Sequence, residues 1–412
     1  MRSQRLAPVR PGPARRSLLR LPRTAAAALM ALLVGAGCSA GPDGGAGAGE
    51  AGGAAAGDVP EPDHTLRAEQ VHSAWSSAIE PVLRVRPGAV VEAFTQEASA
   101  GQLTPESTAA DLADLSFDPI HPLTGPVHVE GAEPGDVLAV TLHRVELGDW
   151  GWSAVLPGFG FLSEDFPDPY LKTYRFEPGD STARFNDRIT VPLRPFPGVV
   201  GVAPDTDSML STIPPRRHGG NMDDRDVTEG TTVYLPVLVE GALLSVGDGH
   251  AAQGDGEVSG TAIEAPLRVV YEVRLIEDPG WELPGPQFVN GRGYFVTGIA
   301  ESIDAAAKAA TRNAVDYLVR HHGLERTEAY VLASTAGNLK IAEAVDVPHM
   351  MVTMHLPGRV LPGPAGLAPP DAGEEGSTDG VETSSTDDDA GSPESGGEGA
   401  ADGGPDGSGG GA

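Results

Sequence analysis

The sequence predicts a mainly β protein with an α+β portion: a β-sandwich or barrel-like N-terminal part, then a C-terminal part with one long helix. Three observations support this prediction. Short apolar segments alternate with Pro-Gly turns through the first half of the chain, as they do in sandwiches and barrels. The 412 residues include 55 glycines and 37 prolines, with few aromatics, which is typical of loop-rich β proteins. One long segment, from Ser302 to Gly323, has helical spacing and both end signals.

Strands are predicted at several places along the chain. Residues 79–94 have the pattern of strand, turn and strand, with the turn at Pro87-Gly88. Residues 137–145 alternate apolar with polar side chains, as a half-buried strand does. Residues 150–161 mix aromatics with glycines and are predicted to form a loop over the core or over a site. The remaining predicted strand segments are 189–195, 231–246 and 263–273, the last two holding one or two strands each, and 345–356.

The long helix is predicted from its ends as much as from its spacing. Ser302 can cap the first turn, and Gly323 stands where a helix normally stops. Between them, apolar side chains recur at positions 303, 307, 310, 314 and 318. A second, shorter helix is predicted from Thr327.

The N-terminal 38 residues are predicted to be an export signal. Seven arginines and no acid occur in the first 37 positions, and an apolar run then leads to the sole cysteine, Cys38. Arg15-Arg16 resembles a twin-arginine export address, and the run ending at Cys38 resembles the lipobox of bacterial lipoproteins. We therefore expect a cell-surface lipoprotein anchored to the membrane at Cys38, or a secreted protein if the cysteine is not lipidated.

The rest of the chain divides into a linker, a domain and a tail. Residues 39–62, rich in Gly, Ala and Pro, are predicted to be a flexible linker. Residues 363–412 carry twelve acids and no Lys or Arg, a composition that predicts a disordered acidic tail. The folded domain is therefore expected to span 63–362.

Charge and cysteine content exclude several classes of function. The net charge of -30 argues against a nucleic-acid partner, because phosphate binding requires a basic surface. The only cysteine lies in the leader, so neither a thiolate zinc site nor a cysteine nucleophile is expected. No GxSxG nucleophile elbow and no phosphate loop occurs within the expected folded domain.

Two polar clusters flank the apolar segment 231–246. The first, residues 214–223, and the second, residues 247–257, each place glycines beside acids and a histidine. Glycine lets the backbone approach a ligand closely, and Asp, Glu, His and Asn can hold a divalent metal or move a proton. We interpret the two clusters as two walls of one hydrolytic site.

Several segments in the same order along the chain carry a resemblance to a known family. They are Val71-His72-Ser73-Ala74-Trp75, residues 121–136 beginning His121-Pro122-Leu123-Thr124-Gly125, Gly219-Gly220-Asn221-Met222-Asp223, residues 247–257, and Glu328-Ala329-Tyr330-Val331-Leu332. From about residue 68 to 357 the chain therefore resembles the acetamidase/formamidase family. The resemblance implies a mostly β fold, oligomers, a divalent metal (zinc or calcium) and hydrolysis of a small carboxamide to the acid and ammonia.

Amide hydrolysis requires an activated water, stabilisation of an oxyanion and a proton for the amine, and candidate residues can be assigned to each need. Asp223, Asp248 and His250 are predicted to bind the metal, most simply Zn²⁺, with Ca²⁺ as the alternative. Glu257 is predicted to be the general acid/base, and Asn221, with the amides of Gly219 and Gly220, to stabilise the oxyanion. The two further candidates are His218 and His72.

Simpler interpretations of the same residues stay open at the level of sequence. Asp223 and Asp248 can cap turns, and His250 can be an ordinary hydrogen-bonded histidine. The histidines of the N-terminal part, among them His121, are more often packing or loop residues than ligands. The alternative function is a non-catalytic lipoprotein that binds a ligand or metal at the cell surface.

Overall fold

A computed structural model describes residues 59–361 and residue 367. In this part of the chain twenty strands, two α-helices and one short 3-10 helix are present. The strands are β1 (His64–Leu66), β2 (Val71–His72), β3 (Leu83–Val85), β4 (Val90–Phe94), β5 (Leu123–Val129), β6 (Val137–Leu147), β7 (Trp150–Val155), β8 (Tyr170–Arg175), β9 (Thr182–Arg184), β10 (Thr190–Pro192), β11 (Phe196–Gly201), β12 (Gly219–Asn221), β13 (Thr232–Pro236), β14 (Leu244–Ala252), β15 (Ile263–Glu264), β16 (Leu267–Ile276), β17 (Gln287–Asn290), β18 (Gly293–Ala300), β19 (Asn338–Glu343) and β20 (Met350–Pro357). The helices are the 3-10 helix Ala109–Asp114, α1 (Ile303–His322) and α2 (Arg326–Ala336).

Two nine-stranded sheets form the body of the domain. Sheet A has the strand order β1-β4-β16-β6-β13-β17-β18-β20-β19. Sheet B has the order β12-β11-β14-β15-β7-β8, and β5 joins it beside β14, with β2 and β3 paired to β5. Most pairs are antiparallel; the parallel pairs are β1 with β4 and β3 with β5. Strands β9 and β10 form a separate two-stranded ribbon.

The main hydrophobic core lies between the two sheets, so the predicted mainly β sandwich-like architecture is confirmed. Burial of each such side chain stabilises the fold by roughly 1.5–3 kcal/mol. The buried residues that meet there include Val140, Leu142, Val233, Val269 and Phe288 of sheet A and Val127, Val200, Leu244 and Val246 of sheet B.

Helix α1 packs on the other face of sheet A and forms a second core. Ser302 accepts a hydrogen bond from the Ala305 amide, and Gly323, at φ 66°, ends the helix, as the sequence predicts. The helix presents small residues to the sheet. A Cβ placed on Gly298 of β18 would lie 2.1 Å from the backbone nitrogen of Ala310. Glycine is therefore required at this point, where strand and helix backbones nearly touch.

The segment 231–246 forms two strands that lie in different sheets. Strand β13 pairs with β6 in sheet A, whereas β14 pairs with β11 and β5 in sheet B. The second polar cluster is thus not a loop at its start: residues 247–252 continue β14.

Two other boundaries differ from the sequence prediction. The predicted loop 150–161 begins with strand β7, which pairs with β8 over six residues. Its Gly151 reflects the close approach of β15, because a Cβ there would lie 2.6 Å from the Glu264 carbonyl oxygen. The last strand starts at Met350 rather than at position 345, because residues 344–349 form a turn. Strand β19 is absent from the sequence prediction.

The predicted export signal, most of the linker and nearly all of the acidic tail lie outside the described residues, and these assignments stay predictions. Among the described helices, none is both long and apolar enough to span a membrane.

Candidate active site

Strands β11, β12 and β14 bring the two predicted polar clusters together. Asp248 and His250 alternate with glycines along β14 and lie on the same side of it, and their side chains meet at 3.3 Å (Oδ2 to Nε2). Asp223 follows β12 and reaches the same point, with its Oδ1 3.7 Å from Nδ1 of His250. Gly198 of β11 faces all three: a Cβ there would lie 2.5 Å from Asp223 Oδ1 and 2.7 Å from Asp248 Oδ2.

His250 is the centre of the cluster. Its Nε2 lies 3.1 Å from Oε2 of Glu264 and 4.0 Å from Oε1 of Glu257. All of these side chains are buried; the His250 residue is 1% exposed. Four buried carboxyl groups surround this one imidazole, namely those of Asp223, Asp248, Glu257 and Glu264. A fifth buried carboxyl group, that of Asp346, lines the same cavity.

The orientation of Gln253 fixes which nitrogen of His250 carries a proton. The Gln253 Nε2 donates to the backbone carbonyl of Asp223 at 2.6 Å, and a carbonyl can only accept. The Gln253 Oε1 therefore faces Nδ1 of His250, at 2.9 Å, and Nδ1 must be the donor. In neutral His250 the lone pair is then on Nε2, directed at Asp248 and Glu264, as in histidines that bind metals.

A second series of linked hydrogen bonds orients Asn221. Its Nδ2 donates to Oδ2 of Asp346 at 2.7 Å, while its buried Oδ1 has no partner among the described residues. Asp346 is held by Glu343, whose Oε2 accepts from the amides of Val345 and Asp346 at 3.0 and 3.1 Å. This capture of two amides by Glu343 explains why the chain turns here instead of continuing as a strand.

Burial and crowding shift the ionisation of the cluster in two directions. Burial raises the pKa of Asp223 and of Glu257 well above the usual range, and neighbouring carboxylates add to the shift at both. Burial would also raise the pKa of Asp248, but the charges of His121 and His250 lower it to about 2. Burial lowers the pKa of His250, yet Glu264 and Asp248 together raise it well above its usual value.

These residues fit a divalent cation. Neither carboxylate oxygen of Asp223 accepts a hydrogen bond from the described residues, and the same holds for Oδ1 of Asp248. Unpartnered buried carboxylate oxygens are costly unless a cation or a proton neutralises them. Two groups have ligand atoms that all lie within 4.8 Å of one another: Asp223 with His250 and Glu257, and Asp248 with His250 and Glu264.

The predicted candidates outside this cluster lie in other surroundings. Both ring nitrogens of His72 are already engaged, by the Ala74 carbonyl at 2.7 Å and the Ser245 hydroxyl at 2.8 Å. His218 packs against Trp75, and burial lowers its pKa to about 3. The Gly219 amide donates a hydrogen bond to the Arg216 carbonyl and is therefore not available as an oxyanion donor.

Four residues of the site were not singled out as functional from the sequence: His121, Gln253, Glu264 and Asp346. His121 lies with its Nε2 3.8 Å from Oδ1 of Asp248. Glu264 and Asp346 were placed at or within predicted strands, where single acids carry no periodic signal. Only the fold brings them to the cluster.

Backbone strain marks the same place. Asp223, Asp248 and Glu257 all adopt positive φ, at 41°, 52° and 44°. For residues other than glycine this conformation costs about 1–3 kcal/mol, and it concentrates at functional sites.

A small cavity of about 40 Å³ opens onto the cluster. Its lining combines the acid–histidine cluster and Asn221 with a set of apolar side chains. The apolar residues include Phe117, Ile120, Trp152, Leu156, Phe159 and Ile213. The space is sized for a small polar group rather than for a polymer.

Comparison of the sequence with known proteins matches this chain to one family. The acetamidase/formamidase family model matches residues 60–211 and 206–362. An acetamidase from Mycolicibacterium smegmatis is 29% identical over 347 residues, covering 64% of this chain and 85% of that protein. A formamidase from Methylophilus methylotrophus is 27% identical over 367 residues, covering 71% of this chain and 89% of that protein.

A solved structure agrees with the sequence relatives. The crystal structure of an acetamidase from Bacillus halodurans superimposes with a TM-score of 0.67 at 32% identity, covering 72% of this chain and 98% of that one. The chain belongs to the acetamidase/formamidase family and is an amidohydrolase that acts on carbon–nitrogen bonds.

Proposed function

We propose that the protein hydrolyses a small carboxamide, of the formamide or acetamide kind, to the carboxylic acid and ammonia with a metal-activated water. The observation that carries the proposal is the buried cluster of four carboxyl groups around His250, which faces a cavity large enough for little more than an amide group. The relatives named as acetamidase and formamidase support the same substrate class.

His250 Nε2, Asp248 and Glu264 would hold the cation, because the Gln253 contact leaves the His250 lone pair directed at these two carboxylates. Asp223, whose Oδ1 lies 3.7 Å from Nδ1 of the same imidazole, is the fourth candidate ligand. An imidazole among carboxylates favours zinc over calcium, which prefers oxygen ligands alone. A bound zinc ion supplies a Lewis acid and lowers the pKa of a bound water to about 7.

Glu257 is suited to move the proton. It lines the cavity, on the segment that follows β14, and burial raises its pKa. A carboxylate with a raised pKa accepts a proton from the attacking water and returns it to the departing amine. The proton thus stays within the site between the two steps.

Asn221 is suited to hold the substrate amide. Since its Nδ2 is committed to Asp346, the atom left to bind a ligand is Oδ1, an acceptor. An acceptor matches the NH₂ group of a carboxamide rather than an oxyanion. We therefore assign Asn221 to orientation of the scissile amide, in place of the oxyanion role inferred from the sequence.

The experiment is ammonia release from formamide and acetamide by the purified protein with zinc supplied. Glu257→Gln keeps the shape of the side chain but removes the titrating carboxyl, and should lower kcat by a factor of about 100 to 10,000. Metal content should not change. Exposed Glu240, changed to Gln, is the matched control.

Turnover near the wild-type rate in Glu257→Gln would show that Glu257 is not the general acid/base. Metal binding without ammonia release from either amide in the wild-type protein would favour the surface-binding alternative.

A further inference from the structure

A second cavity, almost wholly apolar, adjoins the active-site cavity. It has a volume of about 320 Å³, within the range of small-molecule sites. We call it the apolar trough; its main lining residues are Val155, Phe159, Phe161, Leu162, Phe166 and Val258. Four of them, Phe161, Leu162, Phe166 and Val258, are 54%, 53%, 56% and 60% exposed. Contiguous exposed apolar side chains of this kind mark a binding surface.

The trough and the active-site cavity share a wall. Phe159 lines both spaces. Val258, in the trough, directly follows the candidate acid/base Glu257, which lines the cavity. The two segments that form the trough are fastened together, since the Phe161 amide donates to the Val258 carbonyl at 3.0 Å. A molecule in the trough therefore lies beside the reacting group.

The charge around the trough limits what can occupy it. Glu164, Asp165 and Asp168 lie within or just beyond the loop that forms it, and all three are exposed. The chain as a whole has a net charge of -30. Acidic neighbours disfavour docking on an anionic lipid surface and binding of an anionic ligand. A neutral, apolar group fits best.

We propose that the apolar trough binds the acyl chain of the substrate, so that the substrate class is neutral primary amides with an extended aliphatic or aromatic acyl group. This rests on the amide hydrolysis proposed above. The 40 Å³ cavity takes the carboxamide end, and the trough takes the carbon chain past Phe159. Each methylene buried there is worth about fourfold in kcat/KM, until the trough is filled.

The test compares kcat/KM for acetamide, butyramide, hexanamide and benzamide, with zinc supplied. The trough variant is the double substitution Leu162→Ser with Phe166→Ser. Its matched control is Tyr330→Ser with Val331→Ser on α2, where the side chains are similarly exposed, at 61% and 56%. The readout is the ratio of kcat/KM for hexanamide to that for acetamide, which cancels any general loss of folded protein.

The proposal expects this ratio to be well above one in the wild-type protein and to fall about tenfold in the trough variant but not in the control. It is overturned if acetamide is cleaved and the ratio is one or lower, or if the trough variant keeps the wild-type ratio. If none of the four amides is cleaved, the proposed function itself fails, and the acyl-chain proposal fails with it.

Discussion

At the scale of single residues, the site depends on one glycine as much as on its acids. Gly198 of β11 faces the cluster, and no side chain fits at this position. A Cβ would lie 2.5 Å from Asp223 Oδ1, 2.7 Å from Asp248 Oδ2 and 2.9 Å from His250 Cε1. The acids can converge only because this position has no side chain.

Gly198→Ala should therefore displace the cluster and lower kcat/KM for acetamide on the order of 100-fold, since small misplacements of catalytic groups cost that much. Gly254→Ala is the matched control, because a Cβ at Gly254 meets nothing within 4 Å. Steady-state kinetics and metal content check both variants. Wild-type kinetics in Gly198→Ala would show that the site tolerates the methyl group and would contradict this packing argument.

Glu343 predicts a dependence of stability on pH. Burial raises its pKa from 4.5 to about 7, although its contacts with backbone amides act in the opposite direction. A raised folded-state pKa gives stability that is complete below pH 4.5 and is lost as the pH rises through about 7. Glu343→Gln mimics the protonated form and keeps an acceptor for the two amides.

The thermal midpoint of Glu343→Gln should therefore exceed that of the wild-type protein at pH 8 and approach it at pH 5. The difference at pH 8 corresponds to at most about 3 kcal/mol. Thermal unfolding followed by circular dichroism at both pH values checks this, with Glu240→Gln as the exposed control. If the difference in thermal midpoint between Glu343→Gln and the wild-type protein is the same at both pH values, Glu343 does not titrate as described.

At the scale of elements, sequence reasoning worked where a local rule decides the structure. The ends of helix α1 follow from its caps, Ser302 and Gly323, because capping is local. It failed where tertiary contact decides. The sequence ends the predicted strand segment at position 246, whereas β14 continues to Ala252. Glycines 247 and 249 are required there by close packing: a Cβ on Gly249 would lie 2.3 Å from the Ala265 carbonyl oxygen. The proximity of Asp223 to His250 was a hypothesis from the sequence, whereas Glu264 and Asp346 needed the fold.

The contact between α1 and β18 gives a prediction of its own. Gly298→Ala would place a methyl group against the backbone of α1 at Ala306 and Ala310, and should destabilise the protein by about 3 kcal/mol. Gly291→Ala, where a Cβ meets nothing within 4 Å, should be neutral. Urea unfolding measures both. If the free energy of unfolding of Gly298→Ala falls by less than about 0.5 kcal/mol, the helix can move away from the sheet to accommodate the methyl group.

At the scale of the whole molecule, we propose that this domain is exported and anchored outside the membrane at Cys38, on the composition of the first 38 residues. Cys38→Ser should then move the protein from the membrane fraction to the soluble exported fraction, without change in kcat for acetamide. Fractionation of a bacterial host with immunoblotting checks this. Membrane association that survives in Cys38→Ser would contradict the anchor. Assembly into oligomers, implied by the family resemblance, stays a prediction.

The most direct test of the central claim, that the acid–histidine cluster around His250 holds a cation needed for amide hydrolysis, is a metal titration. The purified protein is stripped with a chelator, and ammonia release from acetamide is then measured as Zn²⁺ is added back. We predict activity near zero after stripping, and recovery that saturates at about one equivalent of Zn²⁺, with no recovery in His250→Ala. Full activity in protein that holds far less than one metal ion per chain would contradict the account.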